Sequence, residues 1–352
     1  MRVIAFTKYG RAAASTRQRV LQYRPALRAS GISVDTHALL GDDYMKSLVS
    51  GTRFPPWRVA ASYARRLAQL RMLRKYDAIW LYAELFPHLP SQFEKLVFAA
   101  GKPVVYDFDD AFFHKYQDHP RPLARKLLAG KLEPMLSGAA VCCCGNAYLR
   151  DYARRFCERS IVLPTTVDTD VYRALPHGNG KPVIGWIGSP STWHNVRPIL
   201  PVLRELADAG KARIRVVGAG AEAEQDGFPG LEFVTWSEDS EVAEVQKMDI
   251  GIMPLIDHPF ERGKSGYKLI QYMACGLPVV ASPVGVNAEI VEHGANGYLA
   301  RDLEEWRTDL LRLLGDASLR CSMGERGRDR AEAHYSLRSQ APLLIEIFQS
   351  LK

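Results

Sequence analysis

"GKSGYKLIQYMACGLPVVAS", residues 263–282, is the stretch on which the reading of this chain turns. Ser265 or Gly266 precedes an amphipathic segment over 266–275, Gly276 and Pro278 end it, and a β-branched run follows at once. A helix delivered straight into a short apolar strand is half of a parallel-sheet unit. Lys264 and Lys268 stand on or beside the helix's first turn, with Arg262 just upstream. Cations there oppose the helix dipole and weaken the helix unless an anion binds. Helix N-termini also expose N–H groups that suit phosphate. The preceding apolar run ends at Pro254–Leu255, so the loop opens at a strand's carboxyl end, where ligands of such sheets bind. A solvated basic loop is the bland alternative.

Outward from this unit, short apolar runs alternate with helix-length segments. Strands are expected at 2–7, 32–38, 78–82, 103–107, 140–144 and 161–163, then at 183–188, 213–218, 232–236, 250–255, 278–282 and 297–300. Helices are expected at 15–29, 57–75, 90–100, 121–136 and 146–156, and in the second half at 196–209, 240–248, 266–275, 303–314, 317–332 and 336–351. The aperiodic "ALPHGNGKP" (174–182) reads as a linker. These spacings predict an α/β chain of two Rossmann-like domains facing a central cleft, over 1–176 and 177–335, with a last helix at 336–352 crossing back to the first. A second Gly-rich turn, "GWIGSPSTWHN" (185–195), ends the first strand of the second domain. There Gly188 permits close backbone approach to a phosphate, and Ser189 offers a hydroxyl. A plain capped βα turn would look the same.

With these residues in view, "KLIQYMACGLPVVASPVGVNAEIVEHGANGYLA" (268–300) closely resembles the nucleotide-binding signature of the group 1, or family 4, glycosyltransferases of GT-B fold. "DIGIMPL", "IGWIGSPST" and "VLPTTVDTDVY" (162–172) support the resemblance, and "STRQRVLQYRPALRASGI" and "VVYDFDDAFF" extend it more loosely into the first domain. It implies retaining sugar transfer from a nucleotide-diphosphate sugar, with no metal and no cofactor required. Two departures stand out. Members usually carry two glutamates at the positions of Gly263 and Gln271; Gln271 can still hydrogen-bond a ribose hydroxyl, and Glu261 or Glu289 can stand in for the missing first carboxylate. Members also often place Arg and Lys in the loop matching 188–195, where this chain has neither. The resemblance therefore shifts the donor diphosphate onto Arg262, Lys264 and Lys268, with Ser265 and the Gly266 N–H completing the cradle.

In the first domain, "VVYDFDDAFFH" (104–114) ends a strand with Asp107, Asp109 and Asp110. Asp107 and Asp109 mimic the Asp-x-Asp pair that can chelate a hard cation. The three acids are read as catalytic groups facing the acceptor, binding a hydroxyl or acting as general base; helix capping and ion pairing is the alternative. The turn "KYGRAAAST" (8–16) is expected to border the same site, with Gly10 admitting the acceptor and Arg17 or Arg19 binding its phosphates or merely solvating the helix.

Composition narrows the class. The chain has 352 residues, 47% apolar and 24% charged, which suits two globular domains. The opening "MRVIAFTKYG" lacks the apolar run of a signal peptide, and no window reaches the roughly eighteen apolar residues of a membrane span. The six cysteines, including the contiguous Cys142, Cys143 and Cys144, form no CxxC pair. A reduced, cytoplasmic chain, peripheral on the inner face of the membrane, is expected. The net charge is +7, and "RFPPWRVAASYARRLAQLRMLRK" (53–75) holds cations and no acid. Trp57, Ala60, Leu67, Leu70 and Leu73 form one face of the 57–75 helix, which either lies on an anionic membrane surface or packs on its own sheet with a solvated basic rim. No recognition fold accompanies the charge, so nucleic acid is not expected as a partner. The expected function is transfer of a sugar to a glycan or lipid-linked acceptor in cell-envelope polysaccharide biosynthesis. The alternatives are a nucleotide-sugar epimerase or hydrolase of the same fold, or a non-catalytic nucleotide-binding subunit.

Overall fold

The computed structural model describes residues 1–49, 51–176 and 180–351. The expected linker 174–182 includes residues 177–179, which lie outside the described residues. Twelve strands form among the described residues: β1 (Arg2–Tyr9), β2 (Ser33–Leu40), β3 (Ala78–Tyr82), β4 (Val104–Phe108), β5 (Val141–Cys144), β6 (Ser160–Val162), β7 (Val183–Ile187), β8 (Arg213–Val217), β9 (Leu231–Val234), β10 (Ile250–Met253), β11 (Val279–Ala281) and β12 (Gly297–Leu299). They make two six-stranded sheets, ordered β2-β1-β3-β4-β5-β6 and β12-β11-β10-β7-β8-β9, with all pairings parallel. Central strands such as β3, β4 and β7 are buried along their whole length. That is why they read as continuous apolar runs rather than alternating ones.

Strand order reverses between β1 and β3 in the first sheet and between β7 and β10 in the second. The crevice beyond the carboxyl ends at such a reversal is where open α/β sheets bind ligands. In the first sheet it is bordered by residues 7–10 and 83–84, in the second by residues 188–189 and 254–256.

The chain divides into two compact units, Met1–Thr166 with Arg262–Ser265 and Gln340–Lys352, and Val167–Glu261 with Gly266–Ser339. The passage at Thr166 lies before the expected boundary at 176, because Val167 is already tied into the second unit. Its N–H donates to the Tyr335 carbonyl at 3.0 Å, and its carbonyl accepts from Leu337 N–H at 2.8 Å. The final helix, Leu337–Gln349, joins the first unit from Gln340 onward, where Phe348 meets Trp80 edge-on at 5.5 Å.

The basic helix differs from its expected face. It runs from Pro56 to Gln69 and tightens to a 3₁₀ turn over Leu70–Lys75. Arg66, one of the cations of this basic segment, is wholly buried: it donates to the carbonyls of Thr7 and His37, both at 2.9 Å, and its guanidinium lies 4.6 Å from the centre of the Phe6 ring. Burial pushes its pKa down to about 9. Of the expected apolar face Leu73 is buried, while Trp57 and Leu67 remain 67% and 43% exposed. No helix among the described residues is long and apolar enough to cross a membrane.

Candidate functional site

In the second unit, the structure brings together two features that the sequence places far apart. Gly188 follows β7, and its N–H continues the pairing to the Val217 carbonyl at 3.0 Å. A Cβ there would fall 2.4 Å from the Trp186 ring and 2.8 Å from Lys268 Cε, so only glycine lets the lysine lie across the turn. Lys268, the second residue of the helix Tyr267–Ala274, holds its ammonium 5.5 Å from the Trp186 ring centre. Gly266 caps this helix in the left-handed conformation (φ 68°) with no side-chain cap. The turn after Gly188 is a 3₁₀ helix, Pro190–Asn195, in which the Ser189 N–H donates to Thr192 Oγ1 at 3.3 Å. Ser189 itself is exposed, with its hydroxyl 3.0 Å from that of Ser191. A glycine turn, a helix N-terminus and a lysine thus meet at the sheet's reversal point, an arrangement suited to a phosphate.

Gln271 lies one turn further along the same helix and is 2% exposed. Its amide donates to Glu241 Oε1 at 2.9 Å and to the Tyr172 hydroxyl at 3.0 Å. Tyr172 also donates to Glu241 Oε1, and Trp236 Nε1 donates to Glu241 Oε2 at 2.7 Å. Both amide hydrogens of Gln271 are therefore committed, and toward any ligand the residue retains only its acceptor oxygen. The buried carboxylate at this place belongs to Glu241, which sequence reading missed because no local pattern marks it. Of the two proposed stand-ins, Glu261 is buried, with Oε1 3.7 Å from His194 Nε2 and no hydrogen-bond partner for Oε2 among the described residues. Glu289 is exposed on the short helix Asn287–Ile290 beyond β11.

The remaining members of the expected cradle, Arg262, Lys264 and Ser265, are part of the first unit. Gly263 lies against Ala111, where a Cβ would come within 2.4 Å of the alanine methyl and 2.9 Å of its backbone nitrogen. A glutamate has no room there. Asn146 Nδ2 donates to the carbonyls of Gly263 at 3.1 Å and Lys264 at 2.9 Å, and the Lys264 ammonium sits 3.5 Å from Asp110. Arg262 is exposed.

The three aspartates have separate surroundings. Asp107 is wholly buried: Arg19 donates to its Oδ1 from Nη2 at 2.6 Å and Nε at 3.0 Å, and Trp80 Nε1 donates to Oδ2 at 3.1 Å. With both oxygens engaged and no exposure, Asp107 cannot face an acceptor, and its catalytic assignment is corrected to that of a core ion pair. The same pairing removes Arg19 from any phosphate role. Burial raises the Asp107 carboxyl to about 6 against the pull of Arg19. Asp109 is 6% exposed, accepting from the Tyr82 hydroxyl at 2.6 Å and the Thr165 hydroxyl at 3.4 Å. Asp110, with a 30% exposed side chain beside Lys264, is the most accessible of the three. Gly10 abuts Asp42, whose Oδ1 accepts from Ala12 N–H at 2.8 Å, and Arg17 donates to the carbonyls of Arg11 and Ala12 at 3.0 and 3.2 Å. Among the described residues no three His, Cys, Asp or Glu side chains gather as a metal site would require.

Comparison with known proteins bears on the family likeness and the fold. Residues 181–316 match the family model described as glycosyl transferases group 1. N-acetyl-alpha-D-glucosaminyl L-malate synthase of Bacillus anthracis is 37% identical over 71 residues, 20% of this chain and 19% of that protein, so the match spans about a fifth of this relative. Over 99% of its length the chain superimposes on sucrose-phosphate synthase from Thermosynechococcus elongatus, covering 98% of that structure with a TM-score of 0.76 at 15% identity. It likewise matches Anabaena HepE, solved with UDP-glucose, with a TM-score of 0.72 at 16% identity over 99% of this chain and 100% of that one. Residues 181–316 thus match the family model of the group 1 glycosyl transferases, on a chain whose whole length has the GT-B glycosyltransferase fold.

Proposed function

We propose that this protein transfers a sugar from a nucleotide-diphosphate sugar to a hydroxyl of a glycan or lipid-linked acceptor, with retention and without a metal. The observation that carries the reading is Lys268 lying across Gly188 at the helix N-terminus and the β7/β10 reversal point. There the ammonium and the exposed N–H groups receive the donor's diphosphate, and the Gln271 oxygen accepts from a ribose hydroxyl. As the diphosphate leaves it gains charge, so these contacts strengthen in the transition state, which is the condition for accelerating transfer. Glu261, with an unserved buried oxygen, is the carboxylate available to the donor sugar in place of the absent glutamate at Gly263. Asp110, beside Lys264, is the acid available to the acceptor. HepE, a structural neighbour, was solved with UDP-glucose, which makes UDP-sugars the first donors to assay.

The test is release of UDP from UDP-glucose, with and without glycan acceptors, in excess chelator. Turnover in chelator supports the reading; a strict requirement for a divalent cation contradicts its metal independence. Donor binding without turnover on any acceptor would make the chain a nucleotide-binding subunit, and acceptor-independent turnover a hydrolase or epimerase.

An anionic lipid surface is the second partner of this reading. Trp57 and Leu67 are exposed on the helix Pro56–Gln69 beside exposed Arg58, Arg65, Arg71 and Arg74. An apolar stripe flanked by cations suits the interface of an anionic membrane.

A further inference from the structure

At the carboxyl edge of the first sheet, one turn holds a conformation that L residues rarely adopt. Ala83, immediately after β3, has φ 63°. Its N–H donates to the Asp107 carbonyl at 2.8 Å, and its own carbonyl accepts from the Tyr106 hydroxyl at 2.8 Å. The next N–H groups, Leu85 and Phe86, donate to the buried Glu94 carboxylate at 2.8 and 3.0 Å, and Lys131 anchors that carboxylate at 2.5 Å. Such over-determination is what lets a disfavoured backbone persist. The residue it delivers is Glu84.

Glu84 is 0% exposed. Its Oε1 accepts from the Tyr116 hydroxyl, and its Oε2 has no hydrogen-bond partner among the described residues. The Lys8 ammonium stands 3.8 Å from Oε2 on a side chain that is 15% exposed, near the end of β1. Lys8 also lies 5.2 Å from the Tyr9 ring centre. The strands that present these two residues, β1 and β3, adjoin at the first sheet's reversal point.

Buried carboxylate oxygens are normally served by donors, so an unserved one needs an explanation. A 3.8 Å separation is too long for a direct hydrogen bond, yet it leaves one oxygen able to lie within about 2.8 Å of both groups. A hydroxyl fits, because it accepts from the ammonium with a lone pair and donates its hydrogen to the carboxylate. An ionised carboxylate has nothing to donate, and a phosphate anion, even one that keeps a P–OH, is repelled by Glu84. A second ammonium is repelled by Lys8.

We propose that Lys8 and Glu84 bind one hydroxyl of a neutral glycan acceptor, with Lys8 reaching it from the exposed side and Glu84 receiving its proton from beneath. This rests on the reading that the first unit takes the acceptor. Glu84 itself is fully buried, so the hydroxyl enters beside the partly exposed Lys8 and meets the carboxylate that Tyr116 holds in place.

Saturation-transfer NMR on the full chain with UDP present, using methyl α-D-glucopyranoside as probe, tests this in the wild type, Lys8→Met and Glu84→Gln. Glu84→Gln keeps the shape and an oxygen for Tyr116, and melting curves confirm that each variant is folded. The wild type is expected to bind the glucoside, and each variant to weaken it at least about tenfold, the loss of one charge-assisted hydrogen bond. The UDP-glucose melting shift should stay unchanged in both. Wild-type-like glucoside binding in either variant, or no binding in the wild type, overturns the proposal. So does inorganic phosphate that binds more tightly to Glu84→Gln, since an anion site gains when its carboxylate is neutralised. Failure of the wild type to shift with UDP-glucose counts instead against the donor reading of the second unit.

Discussion

Gln271 occupies a position where the family usually has glutamate, so Gln271→Glu looks like a restoration. The structure predicts the opposite. The amide nitrogen is 2.9 Å from Glu241 Oε1, and substitution replaces that donor with a carboxylate oxygen facing another. The loss of a hydrogen bond to a charged group costs about 1.5–3 kcal/mol. Two charges about 4 Å apart at an effective dielectric near 20 add repulsion of about 4 kcal/mol. The pair can escape part of this by holding a proton, which restores a donor. The ceiling on the cost is then the cost of protonating a glutamate, about 1.4 kcal/mol for each pH unit above its ordinary pKa near 4.3. At pH 7 that ceiling is about 4 kcal/mol.

The sign follows from linkage. The introduced carboxyl has a folded pKa above its unfolded value, so its stability contribution is complete below about pH 4.3 and is lost as pH rises through the raised folded value. Parallel melts of wild type and variant from pH 5 to pH 8 should show a gap that is small at pH 5 and widens steadily. A variant as stable as wild type at pH 8, or a gap independent of pH, would refute this account of Gln271.

Other expectations follow from the same contacts. Asp107→Asn leaves Arg19 buried without its counter-charge and should cost about 3–5 kcal/mol in chemical denaturation, with donor affinity unchanged; a loss of turnover at full stability would return Asp107 to a catalytic role. Gly188→Ala drives a methyl into Trp186 and Lys268, so it should destabilise by about 1–3 kcal/mol and weaken donor binding in titration calorimetry. Neutralising Arg58, Arg71 and Arg74 should release the protein from anionic vesicles in sedimentation assays without touching nucleotide affinity, whereas Arg66, being buried, should act through stability alone.

The strands were legible because parallel strands covered on both faces become short apolar runs bounded by turn residues, as in β3 and β4. Helices were legible only in outline. The 15–29 segment breaks at Val20, the 57–75 segment tightens at Leu70, and the short helices Asp42–Val49 and Phe112–Gln117 carry too few turns to show a period. The Gly188 turn and Lys268 could both be found, one as a glycine at a strand end and the other as a cation opposing a helix dipole. Asp107 misled because an acid in "DFDD" looks solvated, and its partner Arg19 is 88 residues away. Long-range pairing of this kind leaves no local trace, and the same is true of Glu241 beside Gln271. Glu84 did carry a signal, an acid directly after a buried strand at the sheet's reversal point. The assignment of Arg262–Ser265 to the first unit follows from packing of Gly263 on Ala111, which spacing does not encode.

The central claim is that a nucleotide-sugar's diphosphate rests on Lys268 at the Gly188 turn, and titration calorimetry of UDP-glucose against wild type and Lys268→Ala tests it most directly. The account predicts that wild type binds and that the variant, still folded, loses at least about tenfold in affinity, with transfer slowed by roughly 2–4 kcal/mol in transition-state stabilisation. Equal affinity in the two proteins, or no binding in either, would contradict it.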